Sequence, residues 1–318
     1  MYFPYLRGRQ FELIAVRELA EASVLSDNVI PIIEPVRLSS TLNSTIIQVF
    51  CFIQCGNQDK KLAYIYNPKV GTLFEDARKD KIGTKLEELK KLVIEDKNVI
   101  KAIIIDSKVQ KYIDELKAYN IESSDIMALC LERDVIPYYE KSFSSGASYN
   151  VVPYGPSFRR IRGNRILIDD KFLRRDRNVD YLEQDEEFYS DDHLYYKEDG
   201  YIGFADYSIV GNDYQETGFA PYAVAIHIVY FSNLDNSLRV KHFVSDTNDD
   251  ISDPANKFGE AVAKLVDWNK RMKLDTLGIR TFEDMHNTGA YPGLGVVKKL
   301  SIMHHIELMG KYLDGISK

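Results

Sequence analysis

Ile100-Lys101-Ala102-Ile103-Ile104-Ile105 is apolar at five of its six positions, on both alternations of an extended chain. A strand with one wet face alternates; one that is apolar on both faces is covered on both, as in a parallel sheet. A helical run near 108–119 follows, then a second such stretch, Ile126-Met127-Ala128-Leu129-Cys130-Leu131. The same strand-then-helix alternation extends toward the amino terminus. Leu62-Ala63-Tyr64-Ile65-Tyr66-Asn67 precedes a helix near 84–95, and Val29-Ile30-Pro31-Ile32-Ile33-Glu34 precedes one near 41–54. Tyr2-Phe3-Pro4-Tyr5-Leu6 precedes a helix over 11–19, in which Phe11, Ile14, Ala15 and Leu19 share a face. Toward the carboxyl terminus come strands at 149–153, 165–169 and 201–207, which brings the count to eight.

Eight such units predict an α/β fold of the (β/α)8 TIM-barrel type, and 318 residues accommodate that fold's roughly 250 plus additions. A doubly wound open sheet is the alternative, because periodicity does not reveal closure. No G-x-G-x-x-G follows the first strand, so the barrel is preferred. Three additions stand out. Residues 171–200 are charged and lack aliphatic periodicity, and read as a long inserted loop. Residues 222–244 read as a β-hairpin around Asn233-Leu234-Asp235-Asn236-Ser237. From Asp253-Pro254 the pattern is helical, with Phe258, Ala261, Val262 and Leu265 at core spacing and a last helix near 295–314. The chain thus divides into a barrel with its insertions over 1–250 and a packed helical extension over 251–318.

Composition narrows the function classes. Apolar residues make up 45% and charged residues 28%, which excludes a disordered scaffold or a collagen-like fibre. A net charge of -7 argues against a general nucleic-acid coat, since counterion release needs clustered Lys and Arg. Three cysteines cannot make a disulfide framework, and Cys51 and Cys55 lack the further ligands that a zinc site needs. They read as small buried side chains on a helix. The start has no signal-peptide pattern and no apolar run approaches the ~18 residues of a membrane span. A cytoplasmic protein without a membrane partner is expected.

Tyr2-Phe3-Pro4-Tyr5-Leu6-Arg7-Gly8-Arg9-Gln10-Phe11-Glu12, followed by Ile30-Pro31-Ile32-Ile33-Glu34-Pro35, resembles the opening of the bacterial and phage Beta protein family. The whole chain is more similar to a related bacterial group, the sce-type family. Its later landmarks stand here as Ser190-Asp191-Asp192-His193-Leu194, Gly203-Phe204-Ala205-Asp206-Tyr207-Ser208-Ile209-Val210-Gly211, His242-Phe243-Val244-Ser245-Asp246 and Tyr291-Pro292-Gly293-Leu294-Gly295. The resemblance implies a mobile-element or phage-defence setting and a protein partner encoded nearby. It implies no particular chemistry.

In (β/α)8 barrels, catalytic groups come from the carboxyl ends of the strands. Those positions here carry carboxylates again and again: Glu34, Asp106, Glu132, Asp169 with Asp170, and Asp206. Packing alone asks for branched apolar residues there. Glu34, Asp106, Glu132, Asp169 and Asp206 are therefore the catalytic candidates, with Arg7, Arg9, Asn67, Arg133 and Tyr207 as ligand-binding candidates. Converging carboxylates would hold a divalent cation and activate water on a phosphoester, with Arg7 and Arg9 on the phosphate. Glycosidase-like acid and base roles are a weaker variant. The plain alternative is that arginines and carboxylates satisfy each other. The expected function is a recognition or assembly module acting with a protein partner; the alternative is a metal-dependent, phosphodiesterase-like hydrolase acting on a phosphorylated or nucleotide ligand.

The densest basic stretch runs from Arg159 to Arg177, and an acidic run from Glu183 to Asp192 follows it. Nucleic-acid binding through the basic stretch is less favoured than mutual neutralisation of the two blocks. Among the histidines, His193 is the expected mobile general base, and His227 and His242 are placed to face each other across the hairpin. His304 and Glu307 have a helical spacing that a metal could use, with packing as the simpler role. Tyr138, Tyr139, Tyr149, Tyr154, Tyr195, Tyr196 and Tyr201 crowd the loop-rich middle, a composition suited to recognition.

Overall fold

The computed structural model describes residues 1–38, 49, 60–79, 83–215 and 221–316. The helix expected near 41–54, with Cys51 and Cys55, lies outside the described residues. Strands β1 (Tyr2–Leu6), β2 (Ile32–Ile33), β3 (Leu62–Ile65), β4 (Val99–Ile104), β5 (Met127–Leu129), β6 (Tyr149–Pro153), β7 (Arg165–Asp169) and β9 (Gly203–Asp206) pair in that order. All neighbours are parallel, and β9 closes on β1 through Tyr2↔Phe204, Phe3↔Ala205 and Pro4↔Asp206. The fold is a closed (β/α)8 barrel.

Apolarity on both strand faces divides the core into two clusters. The barrel interior holds Phe3, Tyr5, Ile32, Ala63, Ile65, Ala102, Ile104, Met127, Leu129, Val151, Ile166, Ile168, Ala205 and Tyr207. The alternate positions, among them Tyr2, Leu6, Ile33, Tyr64, Ile103, Ala128, Val152, Leu167 and Phe204, pack outward against the helices. Burying each large aliphatic contributes about 1.5–3 kcal/mol, so the two-sided pattern is the main force for closure. Gly203 makes room at the seam, because a Cβ there would lie 2.6 Å from the Phe3 ring.

Barrel helices include α1 (Gln10–Glu21), α2 (Leu73–Lys79), α3 (Gly83–Glu95), α4 (Val109–Lys117) and α5 (Ile136–Ser142). In α4, Val109, Ile113 and Leu116 are buried at i, i+4 and i+7. Residues 171–200 depart from the expected loop. They contain strand β8 (Glu186–Ser190) and a short helix, α6 (Asp192–Tyr195). β8 pairs antiparallel with β11 (Leu238–Val244), which pairs with β10 (Ala225–Phe231), in a sheet of order β10-β11-β8. The hairpin therefore carries a third strand.

Helices α7 (Pro254–Met272), α8 (Leu277–Thr288) and α9 (Leu294–Leu313) complete the chain. Asp253 caps α7 by accepting a hydrogen bond from Asn256 N at 3.0 Å, with Pro254 in the first turn. Helix α9 is buried along most of its length, between β1 and α1 on one side and β10 and α8 on the other. Two of its buried polar side chains bond to the surrounding elements inside the core. His304 Nδ1 faces Thr276 Oγ1 at 2.8 Å and its Nε2 faces Val229 O at 2.6 Å; Glu307 accepts from Leu277 N at 2.7 Å. His304 and Glu307 thus pack, as the simpler of their two expected roles has it. Among the described residues no helix is long and apolar enough to cross a membrane.

Candidate functional site

Strand parity decides which strand-end residues reach the barrel mouth. Tyr5 points inward on β1, so Arg7 does too, and Ile32 on β2 places Glu34 likewise. Glu34 is fully buried and Arg7 nearly so, and the two form an ion pair. Tyr5 donates to Glu34 Oε2 at 2.7 Å, and Lys69 N donates to Glu34 Oε1 at 2.7 Å. Burial holds the Tyr5 phenol well above its usual pKa, so it stays protonated as the donor. The Arg7 guanidinium lies 5.0 Å from the Tyr5 ring centre and 5.4 Å from that of Tyr207, whose pKa burial pushes up to about 12. Gly8 permits the turn: its φ is +59°, and a Cβ would sit 2.9 Å from Glu34 O.

The chain of contacts continues around the rim. Arg7 Nη2 donates to Asn212 O at 2.7 Å and Oδ1 at 2.6 Å, and Asn212 N donates to Asp170 Oδ2 at 2.8 Å. Asp170 continues the inward parity of Ile166 and Ile168, and loss of solvent raises its pKa. Asp169, the expected catalytic residue, has outward parity and lies 2.9 Å from Lys171 Nζ in an exposed ion pair. Asp106 pairs with Lys69. Asn67 is consumed by the sheet: its Nδ2 donates to Ile104 O at 2.8 Å, and its Oδ1 accepts from Ile104 N at 2.8 Å. Arg9 bonds Gln215 O and stacks 4.8 Å from the Tyr214 ring, while its backbone N donates to Glu12 at 3.3 Å.

Asp206 is the clearest departure from the expected ring of carboxylates. Ala205 and Tyr207 face the interior, so Asp206 faces outward into the layer under α9. There it accepts from Tyr2 Oη and from Ser208 N, both at 2.8 Å, and His305 Nε2 lies 3.9 Å away. Burial raises its pKa to about 6 and lowers that of His305 to about 3. Neither group is exposed to solvent. Glu132 and Arg133 are exposed just after β5. The candidate carboxylates thus form no metal-ligand cluster: no group of three or more metal-ligating side chains forms among the described residues.

The other expected bases are likewise structural. His193 is buried against Phe231 and Tyr312, with Nε2 2.9 Å from Asn236 O, and burial lowers its pKa. It is a packed side chain, not a mobile base. His227 and His242 do face each other, Nδ1 to Nδ1 at 2.8 Å, and burial brings His242 to about 4. That separation fits one neutral ring donating to another. Burial pushes the Cys130 thiol to about 12, which leaves it inert.

The two charge blocks neutralise each other only in part. Lys171 pairs with Asp192 at 2.9 Å, Arg174 with Asp213 at 3.3 Å, Arg177 with Asp180 at 2.6 Å, and Arg175 with the buried Glu187. Asp185 and Glu186 turn instead to Lys241 and Arg239 of β11. Upstream, Arg160 pairs with Glu140 at 2.5 Å, but Arg159 and Arg162 are exposed and have no ion pair among the described residues. Arg159 and Arg160 line an open cleft of about 680 Å³ with Arg133, Asp134, Ile136, Pro137, Pro156 and Ser157. It lies between the loops that follow β5 and β6. Of the seven loop-region tyrosines, Tyr139, Tyr196 and Tyr201 are buried and Tyr149 partly so, which leaves Tyr138, Tyr154 and Tyr195 exposed.

Comparison of the chain with protein-family models, with curated proteins and with solved structures finds no match.

Proposed function

We propose that this chain is a recognition or assembly module, built on a barrel whose mouth is held shut by its own charges, and that it acts with a protein partner. One observation carries the proposal. Both oxygens of Glu34, the carboxylate best placed for chemistry at the mouth, are already engaged by Tyr5, Arg7 and the Lys69 backbone. A metal or a substrate proton would have to displace a buried ion pair, and breaking such a pair costs about 3–5 kcal/mol. Exposed Tyr138 on α5, Tyr154 after β6 and Tyr195 on α6 supply amphipathic rings, the residue type that recognition surfaces favour. The mobile-element or phage-defence setting follows from the family resemblance, as does the neighbouring gene product as partner.

Co-expression with the product of the adjacent gene tests the proposal. The expected result is a complex that co-elutes in size-exclusion chromatography. Separate elution of the two proteins overturns the partnership. A divalent-cation-dependent phosphoesterase activity that is abolished by D106N overturns the non-catalytic assignment.

A further inference from the structure

We propose that the cleft between the loops after β5 and β6 binds single-stranded nucleic acid, with Arg133 and Arg159 of its walls and the exposed Arg162, two residues beyond the wall, on phosphates and Tyr154 stacking on a base. The basic stretch splits into two parts with different fates. Its second half, Lys171 to Arg177, is neutralised by Asp169, Asp180, Glu187, Asp192 and Asp213. Its first half keeps two unpaired guanidiniums, Arg159 and Arg162, and Arg133 stands unpaired across the cleft from Arg159 among the described residues. Unpaired arginines on an otherwise acidic chain have the fork geometry that grips phosphate.

Two further features select a single strand over other anions. Tyr154 is 73% exposed and lies two residues before Pro156 of the cleft wall. Tyr138 is 42% exposed and follows Pro137 of the same wall. Exposed rings beside a cationic groove are the pairing that single strands use, bases on the aromatics and backbone on the charges. Within a duplex the bases are stacked on one another and unavailable to Tyr154. An acidic peptide would satisfy the arginines and leave the rings without work. The partner proposed above plays no part here, so the two proposals fail separately.

Fluorescence anisotropy of the full chain with labelled 15-mers of deoxythymidine and of uridine tests the site. Three phosphate contacts on a single strand predict about a 20-fold loss of affinity between 50 and 200 mM salt. R133E/R159E is expected to weaken binding at least about 10-fold. Y154A is expected to weaken it about 5-fold or more, the lower end of what a stacked base loses. Circular dichroism of both variants, expected to match the parent, separates lost binding from lost folding. The proposal is overturned by absence of binding, by binding that R133E/R159E leaves unchanged, or by equal affinity for duplex DNA or polyglutamate.

Discussion

Arg7 and Arg133 each follow a barrel strand by a few residues, on the same face of the barrel, and meet opposite fates. Arg7 is 8% exposed, tied to Glu34 and Asn212, and covered by the aromatic rings of Tyr5 and Tyr207. Arg133 stands on an exposed loop beside an open cleft, without an ion pair among the described residues. Parity does not separate them: Arg7 continues the inward positions of β1, and Arg133 continues the inward register of Met127 and Leu129 in β5. The difference lies in what closes over each site: Asn212 of the 211–215 segment bonds Arg7, and the loops after β5 and β6 leave an open cleft at Arg133. A guanidinium at a strand end thus becomes a structural strut or a binding group according to whether a carboxylate shares its layer.

Substitutions can break that contrast. Arg7→Met leaves Glu34 buried without its counter-charge and is expected to destabilise the protein by about 3–5 kcal/mol in urea unfolding. Adding Glu34→Leu should recover most of the loss, since an apolar pair of similar volume tolerates burial. A single-variant loss below about 1 kcal/mol would show that the mouth is not held by this pair.

Asp206, buried on the other face of its strand, sharpens the contrast by pH. Its folded pKa of about 6 lies above the ordinary carboxylate value of 3.8, so the folded state holds the proton more tightly. The stabilisation is complete below about pH 4 and is lost as pH rises through about 6, by on the order of 3 kcal/mol. Asp206→Asn should abolish that fall, read as the difference between the two proteins' stability curves from pH 4 to 7. Parallel curves would refute the assignment.

Smaller effects are expected where charges meet water. Lys69→Met removes the partner of Asp106 at a partly exposed pair and should cost about 1 kcal/mol or less by chemical denaturation. R133E or R159E alone should change stability by no more than about 0.5 kcal/mol, because neither arginine holds the fold. A melting temperature that falls sharply in either variant would mean that the cleft is a structural joint.

The barrel was legible because its strands are apolar on both faces, a pattern that only double coverage rewards. Ile100 to Ile105 and Ile126 to Leu131 declare this without reference to the rest of the chain. The mouth is less legible because position at a strand end does not by itself give the direction of the side chain. One position separates the rim-facing Asp170 from Asp169, and Asp206 falls one position off the inward set of Ala205 and Tyr207. Alternation along Ile166 and Ile168 is the signal that identifies Asp170. β8 is hidden for a different reason: Glu186 and Glu187 stand in a charged stretch that reads as a loop, yet Arg239 and Arg175 bring both into the sheet. Pairing between distant segments leaves no local mark. The division of the basic stretch is hidden in the same way, since the counter-charge of Arg174 comes from Asp213 and that of Arg160 from Glu140.

Helix α9 lays the final helical segment across the first strand, with the Tyr2 and His305 rings 5.6 Å apart and Lys299 bonded to Glu18 at 2.7 Å. Contacts of such sequence separation form late, because the intervening loop must be closed before they repay its entropy. The outer face of the β1–β9 seam, with Asp206 in it, stays uncovered until residues 294–313 have left the ribosome. Barrel strands can pair earlier, but the seam becomes dry only once α9 has docked. Folding of this chain is accordingly expected to be slow, and to be most exposed to aggregation before α9 docks.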